Sequence, residues 1–536
     1  MNPPMTRNHT RSGIPLKDFY TAEDLSGFDS ERQLGAPGEY PYTRGRRPQA
    51  EGGWMQRELS GEGDPARSNA QLQYLLSQGQ IGLDVIGDSP TMAFLDPDHP
   101  IAAHAVGTQG VSLCCLDDYR VLYKDLPLDS IVVSGSLPPA IAVAGLYLVA
   151  SERGVSPDRL RGSVIQAPFY AEDCGYAIQM PFQLRLRMAC DCIAFCAREM
   201  PRFHSFVEDT YFFSEAGLNG VDEIALGMVE IRHVVKELLK RNVPIDSFAP
   251  RIAILVNCGM DFFEEIAKIR ATRRLFARMM REEFGARDRR SWSVVITSHT
   301  SGLSLTAEQP VNNIVRGAIQ SLALVLAGVQ ALEISAFDEA YRTPSPESHR
   351  VALRTQQIVY LESNVSKVVD PLAGSYYVES LTDEMENRIR ERIREIESMG
   401  DPADLAEKGW FRRFFEQAMT EYAAAVAAGT LPKVGHNVFR ISEEEDTLLK
   451  EIVEGKIEPC RERIEAIRRY KETRNVDSVR LALDALRKRA EEERENIMPY
   501  VIEAFRAGAT MGEIGGMLRL AYGWPYDPHG LVESPF

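Results

Sequence analysis

The sequence predicts an α/β barrel of eight parallel strands, each followed by a helix: the (β/α)8, or TIM-barrel, class. Two observations carry this. Short β-branched and apolar runs recur at spacings of about 30 to 50 residues, as βα units should. Amphipathic stretches of helical period lie between them. Runs with so little polar alternation suit strands buried on both faces, as in a parallel sheet.

In chain order, residues 1–45 are rich in Pro, Gly, Arg and acids and show no clear period. They read as an extended N-terminal arm that wraps something else. The expected strands are Ile81–Gly87, Ser130–Ser136, Gly162–Ala167, His204–Asp209, Arg251–Cys258, Trp292–Ser298, Ala331–Phe337 and Val365–Asp370. Helical stretches between them include Ala140–Arg153, Val221–Arg241, Met260–Phe284, Asn313–Leu326 and Glu347–Glu362. Residues 46–380 are therefore assigned to the barrel. From 381 to 536 the expected helices are Asp383–Met399, Trp410–Ala428, Glu443–Gly455, Ile457–Tyr470, Val476–Arg494 and Ile497–Ala507. The mixed-sign charges that dominate this region are those of solvated faces. Docking or covering, not chemistry, is expected of it.

A chain of 536 residues is long enough for a large barrel with extensions. Its 61 basic and 77 acidic side chains leave a net charge of -16, which argues against a nucleic-acid binder. The longest apolar run, Pro138 to Ala150, is 13 residues and too short to span a bilayer. The first residues lack an apolar signal core, so a cytoplasmic protein is expected. Eight cysteines without any C-x-x-C make no disulfide framework. Cys190, Cys192 and Cys196 fall in one helical stretch where all three cannot converge on a metal, and read as small buried hydrophobes.

In such a barrel the reacting groups lie at the C-terminal ends of the strands. Those positions give Asp88, Gln166, Asp209 with Tyr211, His299, Ser335 with Asp338 and Glu339, and Asp370. No H-E-x-x-H, G-x-S-x-G, Walker loop or G-x-G-x-x-G occurs. Hydrolytic and metal-assisted chemistry have no visible machinery, and no metal ligands are assigned. A polar, nearly uncharged end suits a reaction shielded from water, such as a radical one.

Several segments resemble, in order, the coenzyme-B12-dependent methylmalonyl-CoA mutase family. Tyr40-Pro41-Tyr42-Thr43-Arg44-Gly45 is similar to its YPFTRG, Asp96-Pro97-Asp98-His99-Pro100 to its DSDHP and Met200-Pro201-Arg202-Phe203 to its MPKF. The run Phe262 to Thr272 resembles F-F-x-E-I-A-K-x-R-A-S/A, and Thr300 to Thr306 resembles TSGWSLT. Ala336-Phe337-Asp338-Glu339-Ala340 and Asp370 to Glu379 look near-identical to family signatures. The resemblance implies an acyl-CoA threaded down the barrel axis. The segment of Tyr42, Thr43 and Arg44, with Arg270, Thr272, Ser301 and Ser304, would hold its pantetheine and phosphates, for which cationic and hydroxyl groups are suited, while Arg46 and Arg47 could serve a displaced substrate carboxylate and Tyr176 is a further candidate at the substrate. Glu339 matches a glutamate at the adenosyl ribose, and Gln166 a glutamine near the thioester. Thr297, His299, Ser335 and Asp338 fall among the corrin-facing positions.

The departures define the expected substrate. The family's Tyr-His pair reads Tyr211-Phe212, so the histidine that donates to the thioester carbonyl is lost. The arginine that pairs a malonyl carboxylate is absent; Glu172-Asp173-Cys174-Gly175-Tyr176 stands there. The loop of the family's radical-steering tyrosine reads Arg46-Arg47-Pro48-Gln49-Ala50-Glu51-Gly52-Gly53, apparently shortened, which makes Gln49 and Glu51 candidates at the acyl group. The implied activity is that of the large subunit of an adenosylcobalamin-dependent acyl-CoA mutase, an isomerase. Its expected acyl group is bulky, of arylsuccinyl or benzylmalonyl type. The alternative is a 2-hydroxyisobutyryl or isobutyryl group, with Asp88 holding the hydroxyl. A reading of another class is a non-catalytic acyl-CoA-binding or cobalamin-scaffolding paralogue. Asp527-Pro528-His529 lacks the glycine of the cobalt-ligating D-x-H-x-x-G, Val532 standing in its place. A separate small cobalamin-binding subunit is therefore expected, in a heterotetramer of two large and two small chains.

Overall fold

The computed structural model describes residues 9–49, 52–169, 180–455, 457–492 and 495–536. Its strands are β1 (Met55–Gln56), β2 (Leu59–Ser60), β3 (Gly82–Ile86), β4 (Val132–Ser136), β5 (Arg161–Ile165), β6 (His204–Asp209), β7 (Ile252–Cys258), β8 (Val295–Thr300) and β9 (Ala331–Glu333). They follow the order β1-β9-β8-β7-β6-β5-β4-β3-β2, and the registered pairs are parallel. β1 and β2 are two halves of one extended segment, so nine pieces amount to eight strands. The class is α/β, TIM-barrel-like.

Seven of the expected strands appear, as β3 to β9. The eighth does not: Val365–Lys367 is a single 3-10 turn between Asn364 (φ 63°) and Asp370 (φ 47°), whose left-handed backbones cannot continue a strand. The missing strand instead precedes the others, at Met55–Ser60. Its Met-Gln-Arg-Glu-Leu-Ser pattern hides it, because Arg57 and Glu58 are buried in spite of their charge. Gln356 makes that tolerable. Its Nε2 donates to Arg57 O (3.0 Å) and Glu58 Oε1 (2.9 Å), while its Oε1 accepts from Trp54 Nε1 (3.0 Å).

The chain forms two compact units. The first comprises Met1–Glu58, Glu208–His233 and Ala249–Lys456. Its helix Phe262–Arg278 carries charges buried toward its neighbours, several of them paired with acids. Lys268 Nζ lies 2.7 Å from Glu223 and 2.5 Å from Glu265, and Arg274 Nη2 lies 2.7 Å from Asp383. Unpaired, such groups would be strongly destabilising. The arm packs on this same unit: Arg11 N bonds Asp261 (2.8 Å) and Ser12 N bonds Glu264 (2.9 Å). It thus covers its own chain.

The second unit comprises Leu59–Val207, Val234–Phe248 and Ile457–Phe536. Its core joins Ile141, Leu146 and Val149 of helix Pro139–Glu152 to Leu483, Val501 and Phe505 of the tail helices. The tail therefore spends its apolar faces inside its own unit, and the region from 381 onward is divided between the two units. Cys190, Cys192 and Cys196 are buried in the Phe182–Glu199 helix. No described helix is long and apolar enough to cross a membrane.

Candidate active site

In the first unit, the C-terminal ends of β6 to β9 gather polar side chains. Asn257, His299 and Glu333 share one row of the parallel register across β7, β8 and β9. His299 Nε2 lies 3.1 Å from Glu333 Oε2, yet burial, reinforced by Arg57, lowers the imidazole to about 3. It is neutral at physiological pH. Arg57 donates to Thr297 Oγ1 at 2.8 Å. Among the expected cofactor-facing residues, Ser335 turns its hydroxyl to Thr300 O (2.8 Å) and Asp338 accepts from Ser345 N (3.1 Å). Glu339 Oε2 accepts from Ala336 N (2.8 Å), and burial pushes its carboxyl up to about 7.

After β6, Asp209 caps the short helix Thr210–Glu215 by accepting from Phe212 N at 3.3 Å. Burial raises Asp209 to about 7. Tyr211 stands edge-on to His299, ring centroids 5.1 Å apart. Burial, then Glu215, keeps its phenol protonated and a donor. Phe212 is half-buried and brings no polar side-chain atom. Glu215 grips the loop after β8: it accepts from Asn257 Nδ2 (2.6 Å), Ser301 Oγ (2.7 Å) and Leu303 N (2.7 Å). Gly302 suits that position, since a Cβ would lie a tight 3.1 Å from Glu215 Oε2 and 3.6 Å from the Tyr211 hydroxyl.

At the opposite, N-terminal ends of β1, β8 and β9 lies a cavity of about 120 Å³ lined by Arg44, Arg46, Arg47, Gln49, Trp54 and Asp370, among others. Arg46 Nε donates to Ser293 Oγ (2.9 Å), just before β8. Burial, with Arg47 and Arg251 nearby, lowers Arg46 to about 10, the mark of cations crowded together. Gln49 therefore belongs to this end and not to the Tyr211 end.

Several expected binding residues are committed to the scaffold. Arg270 bonds Glu379 through Nη2 (2.6 and 2.8 Å) and also pairs with Asp370. Thr272 Oγ1 donates to Lys268 O (2.8 Å), and Thr43 Oγ1 to Gln33 O (2.6 Å). Tyr42 is buried with its hydroxyl 3.3 Å from Arg289 O. Ser301 and Ser304 lie at the Tyr211 end, where Ser304 Oγ accepts from Gln320 Nε2 (3.0 Å), so the structure does not bring them to the arginines. Glu51 and Tyr176, with Glu172 and Asp173, fall outside the described residues.

In the second unit, Asp88 is fully buried and accepts from Thr91 N (2.8 Å) and Gly107 N (2.7 Å). Both carboxylate oxygens thus serve backbone amides, and burial raises the group to about 6. Gln166 differs: it is buried, and its Nε2 has no hydrogen-bond partner among the described residues. Such a donor is costly unless a ligand satisfies it. Cys114, Cys115 and Asp118 cluster closely enough to suggest a metal, but Arg463 Nη2 sits 3.5 Å from Cys114 Sγ and also pairs with Asp118. A guanidinium already serves that cluster. Sequence reasoning missed Arg57, Glu58, Asn257, Glu333 and Gln356. The signal available was the polar run Gln56-Arg57-Glu58 beside Trp54.

The fold and the strand-end site define a TIM-barrel-like α/β protein whose buried site is polar but largely neutral. The family model for methylmalonyl-CoA mutase matches residues 9–524, and the chain belongs to that family of coenzyme-B12-dependent isomerases. It is 36% identical over 523 residues to the 2-hydroxyisobutanoyl-CoA mutase large subunit of Aquincola tertiaricarbonis, covering 96% of this chain and 92% of that protein. It is 36% identical to methylmalonyl-CoA mutase of Rhizobium meliloti (strain 1021) and 35% identical to that of Escherichia coli (strain K12). Each match covers 96% of this chain and 72% of the relative.

Proposed function

We propose that this chain is the acyl-CoA-binding large subunit of an adenosylcobalamin-dependent mutase whose acyl group carries no second carboxylate. One observation carries the choice. Around Tyr211 and Glu339 the strand-end site of the first unit gathers Glu58, Asp209, Glu215, Glu333 and Asp338, and the cation beside His299, Arg57, is bonded to Thr297. Burial already holds Asp209 and Glu339 toward their neutral forms, so a further negative charge such as a malonyl-type carboxylate would be disfavoured there. The same argument speaks against arylsuccinyl and benzylmalonyl groups and favours a branched, uncharged group of isobutyryl or 2-hydroxyisobutyryl type.

Arg44, Arg46 and Arg47 would take the anionic end of coenzyme A through charge-assisted bonds. The six residues of β8 span about 20 Å, a length that suits a pantetheine arm. In the second unit, Gln166 keeps a buried Nε2 donor without a partner among the described residues, the kind of group that the lost histidine would have supplied. Tyr211 would pack beside the acyl group, and Phe212 would exclude water. Glu339 and neutral His299 suit the uncharged hydroxyls and ring of an adenosyl group. The cofactor supplies a radical when bound, and these residues orient and shield what it meets. The corrin would come on a small cobalamin-binding subunit, in a cytoplasmic assembly of two large and two small chains.

The test is to purify the chain with a cobalamin-binding partner and supply adenosylcobalamin. Isobutyryl-, 2-hydroxyisobutyryl-, methylmalonyl- and benzylmalonyl-CoA are then offered, and isomers read by mass spectrometry. An isomer from an uncharged substrate and none from the carboxylated ones is expected. No isomer from any of them would favour the non-catalytic paralogue.

A further inference from the structure

We propose that Lys433, with Tyr422, is a positioning residue for this site: the two hold the Leu303 carbonyl and so fix the Ser301–Ser304 loop against Tyr211 and Glu215. The inference rests on the reading of Tyr211 as a group beside the acyl chain. It gives a catalytic purpose to a region that the sequence marks only as cover.

The Leu303 peptide is gripped from both sides. Its N–H donates to Glu215 Oε2 (2.7 Å), and its carbonyl accepts from Tyr422 Oη (3.1 Å) and from Lys433 Nζ. A Cβ at Gly302 would lie 3.6 Å from the Tyr211 hydroxyl, so the backbone of this loop runs close to Tyr211. A shift of Leu303 would therefore move the loop backbone that runs beside Tyr211. Tyr422 is carried by helix Trp410–Ala427 and Lys433 by the turn that follows it.

That turn is itself fixed. Asn437 accepts from Lys433 N (2.7 Å) and donates to Val426 O (2.8 Å) and Leu431 O (2.9 Å). Arg316 Nη2 bonds Val434 O (2.6 Å), and Gln309 Nε2 bonds Phe439 O (3.1 Å). Lys433 thus reaches Leu303 from a braced turn rather than from a loose tail.

The charges around the amine are Arg316 from helix Asn312–Ala327, Arg11 from the arm, Glu308 from the loop after β8 and Glu215 from the short helix. The Tyr422 ring lies 5.4 Å from it. Burial first, then Arg316, lowers Lys433 to about 8. A protonated amine makes a charge-assisted bond to a carbonyl, roughly twice as strong as a neutral one. The grip should therefore weaken as pH rises through 8.

Two measurements test this. In the chain alone, hydrogen–deuterium exchange of a peptide spanning residues 301–306 should quicken about tenfold in Lys433→Met and stay near wild type in Lys433→Arg. If Lys433→Met fails to fold, Tyr422→Phe should show a smaller increase in the same peptide. In the complex with partner, adenosylcobalamin and isobutyryl-CoA, Lys433→Met should lower kcat about tenfold with KM little changed. It should also lose the basic limb near pH 8, and Lys433→Arg should restore the rate and move that limb upward. Wild-type exchange and an unaltered pH profile in Lys433→Met would overturn the proposal. A wild-type complex that turns nothing over would sink the functional reading alone, leaving the exchange comparison to decide the grip.

Discussion

The two ends of the strands in the first unit are built from opposite chemistry. At the N-terminal ends, arginines crowd until burial and mutual repulsion lower Arg46 to about 10. At the C-terminal ends, burial raises Asp209 and Glu339 to about 7. One end crowds cations and the other keeps its carboxyl groups partly protonated, so the first favours an anionic ligand and the second disfavours a negative charge. One parallel sheet can thus present an anion-seeking face and an anion-rejecting face about 20 Å apart, the span of six strand residues. That asymmetry is what a thioester with a highly charged handle and an uncharged tip requires.

The largest effect expected tests which arginines belong to the scaffold. Arg270→Met strands Glu379 and Asp370 in the interior and should cost about 3–5 kcal/mol in denaturant unfolding. A variant of unchanged stability with weakened coenzyme A binding would move Arg270 from scaffold to site. Arg44→Ala/Arg46→Ala removes the pairing of Arg44 with Asp370 and the Arg46–Ser293 bond, so it should cost less stability than Arg270→Met, about 1–2 kcal/mol, and weaken binding of coenzyme A itself about 10- to 100-fold by calorimetry. The loss should shrink at high salt. Equal binding by the double variant would remove the arginine end from the account.

Glu339 sharpens the other end. Because its folded value is raised, the folded chain holds a proton that the unfolded chain loses, and stability falls as pH rises from about 4.5 through 7. Glu339→Gln does not titrate, so it should be about 1–2 kcal/mol more stable than wild type at pH 8 and little different at pH 4. A gain of equal size at both pH values would show that ionisation is not its source. The smallest effect expected is a modest tightening of methylmalonyl-CoA binding between pH 8 and pH 6, as Asp209 and Glu339 take up protons. Binding that weakens over that range would count against a carboxyl-rich end.

Most of the fold is legible in the sequence because β3 to β9 are short apolar runs, as in Ile252–Cys258, where every residue is buried. The first strand is not, because Arg57 and Glu58 are polar and their burial depends on Gln356, some 300 residues distant. Val365–Asp370 misleads for the converse reason. Its valines imitate a strand, while the left-handed backbones at either end break it.

The candidate site was legible by kind more than by partner. Tyr211, His299 and Glu339 are residues whose chemistry suits a neutral strand-end site. Which serines face them, and which arginines are already spent on Asp370 and Glu379, depends on packing that no spacing reveals. Asp88 shows the limit most clearly. Its carboxylate at a strand end reads as a ligand group, yet two backbone amides occupy it.

A chain that grips coenzyme A by its charged end and disfavours charge at the acyl end should tell two acyl thioesters apart by their tips alone. Calorimetric titration of the purified complex at pH 8 with isobutyryl-CoA and methylmalonyl-CoA tests it most directly, because the two share the handle and differ at the tip. Binding of isobutyryl-CoA at least about tenfold tighter is predicted, a difference of about 1.4 kcal/mol. Equal or tighter binding of methylmalonyl-CoA would contradict the claim.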